Sequence, residues 1–193
     1  MRAFIAVDLP PAVRAALAQR QADFRAHCES FPRRRADERV AWTRPDGIHL
    51  TLKFLGQIAD AQVSEVKRAL AALGGFPKFM VEVKGLGFFP SPQRPRVFWA
   101  GIEAAPGLGE LAARVEGALA RLGFAPERRD FTPHLTLARF RNPRPLPALE
   151  ALIQQHGESS LGSFEVTRYF LFESRLTPGG AEYRKVESFP QQD

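Results

Sequence analysis

The sequence predicts an α+β fold of two lobes related by a pseudo-twofold axis. Each lobe is expected to be a mainly antiparallel sheet with helices on its outer face, and the active-site groove is expected between the lobes. Two observations lead to this prediction. The tetrapeptide His49-Leu50-Thr51-Leu52, which we call the cassette, recurs as His134-Leu135-Thr136-Leu137. Around each copy the periodicity indicates strand-helix-strand before it and helix-strand-strand after it. No linker separates the halves, so residues 1–193 are predicted to form a single bilobal domain.

In the first half, Pro10-Pro11 is predicted to open the first helix, Asp60 to cap the second, and Gly74-Gly75 to end it. The predicted elements, in chain order, are a buried strand 4–7, a helix to about 27, a surface loop 30–39, a short strand 40–42, the first cassette strand 49–55, a helix from 60, a strand 79–84, a Gly/Pro-rich connection 85–95 and a strand 97–101.

The second half is predicted to repeat this order. Its elements are a helix 108–122 stopped by Gly123, the second cassette strand 134–140, a loop 142–147, a helix 149–155, and strands 164–172 and 181–186 joined by a turn at Pro178-Gly179-Gly180.

Composition limits the classes of protein that the chain can belong to. With 45% hydrophobic residues the chain can form a real core, and no 18-residue apolar run predicts a membrane span. Cys28 is the only cysteine, so no internal disulfide can form, and a cytoplasmic location is expected. The net charge of +6 fits a polyanionic partner such as RNA, and it equally fits a solvated basic surface.

The duplicated cassette indicates a chemistry. Alternate side chains of a strand point the same way, so each copy presents a histidine and a threonine on one face and two leucines on the other. Two imidazoles can supply the base and the acid for an in-line displacement at phosphorus, and threonine hydroxyls can donate to the phosphate oxygens. Zinc is a competing interpretation, but it needs further His, Cys or carboxylate ligands, so no metal or cofactor is predicted.

Several segments of the chain resemble one known family, the two-histidine (2H) phosphoesterases, and within it the RNA 2′,3′-cyclic phosphodiesterases once named 2′-5′ RNA ligases. The similarity covers nearly the whole chain. The similar segments are Arg2-Ala3-Phe4-Ile5-Ala6-Val7-Asp8-Leu9-Pro10, the stretch Trp42–Gly56 around the first cassette, Pro95–Gly101, Phe131–Arg139 around the second cassette, and Leu171–Leu176 with Thr177-Pro178-Gly179 and Tyr183.

This resemblance implies metal-independent hydrolysis of RNA 2′,3′-cyclic phosphate ends to a 2′-phosphomonoester. It also implies a reversible 2′-5′ RNA ligation. We further expect a monomer, with tRNA fragments as candidate substrates. In the family's pattern His49 is the proton donor, His134 is the proton acceptor, and Thr51, Thr136 and Arg139 bind the phosphate. The residues themselves do not order the two histidines, because the cassettes are chemically alike.

Other functions stay open at this point. The chain could act on small cyclic phosphates or 2′-5′ oligonucleotides, or it could be a nucleotide-binding module without catalysis. Arg139 raises a geometric question, since strict alternation puts it on the face opposite His134, and only a bulge, a twist or the strand end would turn it. For the tryptophans, core packing is favoured over base stacking. The remaining candidates, Arg33-Arg34-Arg35, His27, His156 and Cys28, are interpreted as surface or inert residues.

Overall fold

A computed structural model describes residues 1–29, 40–104, 106–141, 147–177 and 180–190. The predicted α+β architecture is confirmed. The described elements are β1 (Arg2–Val7), α1 (Pro11–Glu29), β2 (Val40–Trp42), β3 (Leu50–Gln57), α2 (Asp60–Ala71), β4 (Phe79–Phe89), β5 (Val97–Ala104), α3 (Gly107–Ala120), β6 (His134–Phe140), α4 (Pro147–His156), β7 (Ser160–Val166), β8 (Tyr169–Thr177) and β9 (Gly180–Phe189).

The strands form one antiparallel sheet whose order is symmetric about its centre. That order is β7-β4-β5-β6-β3-β1-β8-β9, and β2 pairs with β6 off this path. The two cassette strands are the central neighbours, and they pair at Leu50 and Leu135. Each half of this path therefore has four strands, β2 adds a fifth beside β6, and the two cassettes meet where the halves join.

The leucines of both cassettes lie in the hydrophobic core. Leu50, Leu135 and Leu137 are fully buried, and they belong to one cluster with apolar residues from the helices, including Leu17 of α1, Val66 of α2 and Leu119 of α3. Since the helices cover the leucine face of the sheet, the opposite face, which carries the histidines and threonines, stays open.

Both cassette strands contain a one-residue register shift just after the threonine. In the β1–β3 pair, Ala6 is opposite Thr51 but Ile5 is opposite Lys53. In the β5–β6 pair, Trp99 is opposite Thr136 but Phe98 is opposite Ala138. Such a β-bulge places two successive residues against one partner and reverses the alternation beyond it.

The bulges exchange which residues face the core. Lys53 and Ala138 are buried on the leucine side, at 2% and 0% exposure. Phe54 and Arg139, the next residues, lie on the open face with the histidines. The two strands thus carry an aromatic ring and a guanidinium at equivalent positions.

Two predicted segments in the sheet are wrong. The connection 85–95 is strand up to Phe89, because Gly85 adopts a φ of 84° and a register shift between Val83 and Leu86 lets β4 continue. The single strand predicted for 164–172 is two strands, β7 and β8, in opposite halves of the sheet. Apolar residues continue across the break at Thr167-Arg168 without Gly or Pro, so periodicity shows no interruption there.

Smaller corrections concern the ends of elements. His49 immediately precedes β3 instead of lying within it. Asp60 is the first residue of α2 rather than its cap; the cap is Ala59, whose N–H donates to the Gln62 side-chain oxygen at 2.9 Å. Gly74, with a φ of 65°, follows α2 as predicted. The Arg33–Arg35 loop, residues 142–146 and Pro178-Gly179 lie outside the described residues, as do the side chains of His27, Cys28 and His156.

The first bulge turns Lys53 toward the core, where its ammonium forms an ion pair with Glu116. Lys53 Nζ donates to Glu116 Oε1 and to the Ala125 carbonyl, both at 2.8 Å. The same carboxylate oxygen accepts the Glu127 N–H at 3.0 Å. The ammonium therefore fastens β3 to α3 and to the segment that follows α3.

Lys53→Ala should lower the free energy of unfolding by about 3 kcal/mol, because the partly buried Glu116 carboxylate loses its opposite charge and the Ala125 carbonyl loses its donor. Lys78→Ala is the matched control, since Lys78 is exposed and has no ion pair among the described residues; it should change stability by less than about 0.5 kcal/mol. Urea unfolding measures both variants. Equal stability of the two would show that the buried pair does not stabilise the fold.

Candidate active site

The four polar cassette residues lie on the open face at the centre of the sheet. Because β3 and β6 are antiparallel and pair at Leu50 and Leu135, His49 lies across from Thr136, and Thr51 lies across from His134. We call these four residues the quartet. All four, together with Arg139, line one groove of about 580 Å³. The structure thus brings every predicted site residue to the same groove.

The two imidazoles are held in the same way. His49 Nδ1 lies 2.8 Å from the carbonyl of Gly47, and His134 Nδ1 lies 2.8 Å from the carbonyl of Thr132. A carbonyl oxygen only accepts hydrogen bonds, so Nδ1 carries the proton in both rings. In the neutral form, Nε2 of each ring is then an acceptor.

Aromatic rings surround His49. Phe4 stacks on the imidazole with centroids 4.4 Å apart, and Tyr183 meets it edge-on at 4.9 Å. Phe172 stacks on Phe4 at 5.1 Å, and its ring lies 6.0 Å from the His49 ring. Burial lowers the pKa of His49 from 6.5 to about 4; the hydrogen bond to Gly47 and the Asp8 carboxylate oppose this shift, while Arg14 and Arg139 add to it.

His134 has a more open environment. Phe89 contacts it edge-on, with centroids 5.0 Å apart. Burial lowers its pKa too, the hydrogen bond to Thr132 opposes the shift, and the Arg139 guanidinium adds to it. Both imidazoles are therefore neutral near pH 7 in the ligand-free protein, and a histidine that acts as an acid must first take up a proton.

Helix α1 holds the backbone of both cassettes. Arg14 donates to the carbonyls of Pro45, at 2.7 Å, and Ile48, at 3.1 Å, on either side of the carbonyl that orients His49. The buried amide of Gln21 donates to the Leu137 carbonyl, at 2.7 Å, and to the Thr43 carbonyl, at 2.9 Å. Leu137 is the extra residue of the β6 bulge, so Gln21 helps to hold the bulge that turns Arg139 toward the groove.

The described lining of the groove carries positive charge and no negative charge. Arg2 and Arg139 line it, and neither side chain has an ion pair or hydrogen bond with another described residue. The described lining contains no carboxylate. The threonine hydroxyls of the quartet likewise have no hydrogen-bond partner among the described residues. Two free cations and two free hydroxyls make the groove suited to an anion.

Some groove residues were not singled out from the sequence. Phe54 is 56% exposed and lines the groove beside Thr51, and Arg2 lies farther along it. The sequence did contain a signal for Phe54. When the two cassettes are aligned, Phe54 occupies the position that Arg139 occupies in the second copy. Arg2, Phe4 and Tyr183 lie in the segments that resemble the family, but nothing in the sequence assigned them to the groove, since their positions follow from strand order.

Of the two tryptophans, Trp42 follows the predicted role and packs against the hydrophobic core, whereas Trp99 lies across from Thr136 and is not part of that core. Trp42 meets the buried Phe98 edge-on at 6.3 Å. Trp99 packs beside Phe89 and lies across Gly87, where a Cβ would come within 2.3 Å of the indole. The Trp99 Nε1–H is buried and has no described hydrogen-bond partner.

Neither a cluster of metal ligands nor a helix able to span a membrane occurs among the described residues. No group of three or more His, Cys, Asp or Glu side chains in this part of the chain is arranged to hold a metal ion. No helix within it combines the length and apolar character needed to cross a bilayer.

Comparison with known proteins identifies relatives of the chain. The family described as LigT-like phosphoesterase matches residues 7–99 and 102–183. The chain is 40% identical to the RNA 2′,3′-cyclic phosphodiesterase of Aeropyrum pernix over 73% of its own length and 80% of that protein's. It is 32% identical to the enzyme of the same name from Methanothermobacter thermautotrophicus over 98% of both chains.

Solved structures agree with the sequence relatives. The protein TT0787 of Thermus thermophilus superposes with a TM-score of 0.77 at 28% identity, covering 98% of this chain and 97% of that chain. The E. coli LigT complex with 3′-AMP gives a TM-score of 0.75 at 26% identity, covering 100% and 98%. The resemblance inferred from the cassettes is thereby confirmed.

The buried His49 should make the folded state sensitive to acid. Its pKa is 6.5 in the unfolded chain and about 4 in the folded protein, so between these values only the unfolded chain takes up the proton. The free energy of unfolding should therefore fall as the pH drops from 6.5 toward 4. In His49→Gln the loss between pH 7 and pH 4.5 should be smaller by about 2–3 kcal/mol.

Urea unfolding at the two pH values tests this expectation. His134→Gln is the comparison, and it should change the pH dependence in the same direction because burial lowers the pKa of that imidazole as well. A His49→Gln variant with the pH dependence of the unmodified protein would show that the imidazole is solvated in the native state.

Proposed function

Because the chain belongs to the LigT-like phosphoesterase family, we propose that it hydrolyses RNA 2′,3′-cyclic phosphate ends to 2′-phosphomonoesters without a metal ion. The observation that carries this proposal is the quartet, in which two imidazoles with the same Nδ1 hydrogen bond and two free hydroxyls face one groove lined by arginines. The relatives named RNA 2′,3′-cyclic phosphodiesterase, which align over most of the chain, support the same reaction.

In the proposed reaction His134 Nε2 accepts a proton from water, and the water oxygen attacks phosphorus. The bond from phosphorus to the 3′ oxygen breaks, and His49 gives its proton to that oxygen. One water is consumed, and the 2′-phosphate remains on the ribose. The hydroxyls of Thr51 and Thr136 and the Arg139 guanidinium donate to the non-bridging oxygens, where charge accumulates in the transition state.

The shape of the groove supports this order of the histidines. Apart from His134, Thr136 and Arg139, its lining residues lie in β3, β1, β8, β9 and the segment before β3. The leaving oxygen belongs to the ribose, so the nucleoside must lie beside the acid, whereas the base side needs space only for water. Most of the groove lies on the His49 side of the quartet, where it has room for the nucleoside, and this favours His49 as the acid.

His49 must gain a proton before it can act in this role. Its pKa of about 4 in the ligand-free protein leaves it neutral at pH 7. A bound phosphate anion favours the charged imidazole and raises this pKa. The substrate would therefore help to create the acid that protonates its own leaving group.

Phe54 is placed to bind the terminal base. Among the described lining residues of the groove it is the exposed aromatic one, and stacking on a ring tolerates any base. This feature favours an RNA end over a cyclic phosphate without a base. The 2′-5′ ligation implied by the family is the reverse displacement, in which an RNA hydroxyl attacks in place of water.

The remaining features of the proposal concern the whole molecule. The quartet is complete within one chain, which supports a monomer, and the matches at residues 7–99 and 102–183 each contain one cassette, which supports an internal duplication in a single bilobal domain. We place its activity in the cytoplasm, on RNA fragments, tRNA-derived ones included. A nucleotide-binding module without catalysis is the alternative that turnover would exclude.

Replacing either histidine with alanine should reduce opening of a cyclic-phosphate-ended RNA by at least ~10²-fold, the usual scale for a lost proton transfer. The unmodified protein should keep its activity in EDTA, give a bell-shaped pH profile and yield only the 2′-phosphate, because one fixed pair of histidines expels one oxygen. Phosphorus NMR identifies the product, and following product formation with EDTA and over a range of pH tests the other two expectations. Mixed 2′- and 3′-phosphates, or activity that EDTA abolishes and zinc restores, would contradict the mechanism.

Thr51→Val and Thr136→Val should each slow turnover by the equivalent of about 1–3 kcal/mol, because valine keeps the shape and removes the donor. The control is Thr167→Val, between β7 and β8 and outside the groove lining, which should leave turnover unchanged. Single-turnover rates and melting temperatures are measured together. Normal rates with lower melting temperatures in the two groove variants would make the hydroxyls structural.

A further inference from the structure

The groove continues well beyond the quartet. Its far end is lined by Arg2 at the start of β1, Gly56 near the end of β3, and Ser174 and Leu176 of β8. Leu176 is 77% exposed, so this end is open to solvent. The volume of about 580 Å³ leaves room for more than the phosphate at the quartet.

Arg2 is the only cation among the described lining residues at this end. It pairs through its backbone with Gln57 on one side and Ser174 on the other. The cations near it across the sheet, on β8 and β9, are occupied elsewhere, because Arg175 and Arg184 both pair with Glu173 at 3.0 Å. Arg2 has no such partner among the described residues, so its charge is available to a ligand in the groove.

The spacing along the strands relates Arg2 to the quartet. Arg2 is four residues from Ala6, which pairs with Thr51, and this separation is about 13 Å at a strand rise of about 3.3 Å. Phe54 lies between them, opposite Phe4. The groove therefore presents an anion site, an aromatic face and a second cation in that order.

This order matches the chemistry of an RNA end. A free nucleoside 2′,3′-cyclic phosphate carries one phosphate, whereas the last nucleoside of an RNA carries a second phosphate on its 5′ oxygen. We propose that Arg2 binds this 5′-side phosphate and so makes the protein select RNA ends over free cyclic nucleotides. The inference rests on the proposed function for the orientation of the nucleoside, with its cyclic phosphate at the quartet.

Binding of two product analogues tests the role of Arg2 without requiring turnover. Adenosine 2′-monophosphate carries only the phosphate for the quartet, and adenosine 2′,5′-bisphosphate adds the 5′ phosphate. Calorimetry on the unmodified protein should show about tenfold tighter binding of the bisphosphate, the scale of one charge-assisted hydrogen bond. In Arg2→Gln the two affinities should become equal, while the affinity for the monophosphate stays unchanged.

Arg175→Gln is the matched control. Arg175 is an exposed arginine that pairs with Glu173 and is absent from the groove lining, so its loss should preserve the tenfold preference. Any affinity tag belongs at the carboxyl end, because Arg2 is close to the amino terminus.

Three results would overturn the inference: equal affinities in the unmodified protein, a preference that persists in Arg2→Gln, or a parallel loss of both affinities in that variant. Failure of the proposed function is a separate observation, since it appears as absence of turnover on cyclic-phosphate RNA whatever the two binding constants are.

Discussion

The contents of the groove depend on one extra residue in each cassette strand. Without the bulges, strict alternation would direct Lys53 toward the quartet and bury Phe54 and Arg139 in the core. The register shift reverses this outcome while leaving the leucines and the quartet in place. Lys53 then pairs with Glu116 inside the protein, and the Leu137 carbonyl at the second bulge accepts hydrogen bonds from the Gln21 side chain and the Thr43 N–H. The Lys53–Glu116 pair and the Gln21–Leu137 hydrogen bond thus accompany the bulges that turn Phe54 and Arg139 toward the groove.

Burial of the His49 ring orients the imidazole but disfavours its protonated form. Aromatic rings around His49 fix its orientation and exclude water, and they disfavour the protonated form. A neutral imidazole is the right state for accepting a proton and the wrong state for donating one. The two requirements are compatible if protonation accompanies the arrival of an anion. Acid strength in such a site is a property of the complex and not of the free protein.

Much of this arrangement could be predicted from the sequence. The cassettes identified both central strands, and proline and glycine marked the start of α1 and the end of α2. The bulges could not be read, because a one-residue shift leaves no trace in hydrophobic periodicity. The break between β7 and β8 was missed for a similar reason, since apolar residues run through it. The burial of His49 and the place of Arg2 depend on which strands are neighbours, and local patterns carry no such information.

The near-twofold symmetry of the central strands has a consequence for how the site can be specialised. Two identical chains meeting at Leu50 and Leu135 would necessarily carry the same residue at both post-bulge positions, two cations or two rings. In one continuous chain the positions are independent, and here one holds Phe54 and the other Arg139. Covalent connection of the halves therefore permits a site in which the two histidines hold equivalent strand positions while the residues beside them differ. A site of this kind can distinguish the two ends of a molecule.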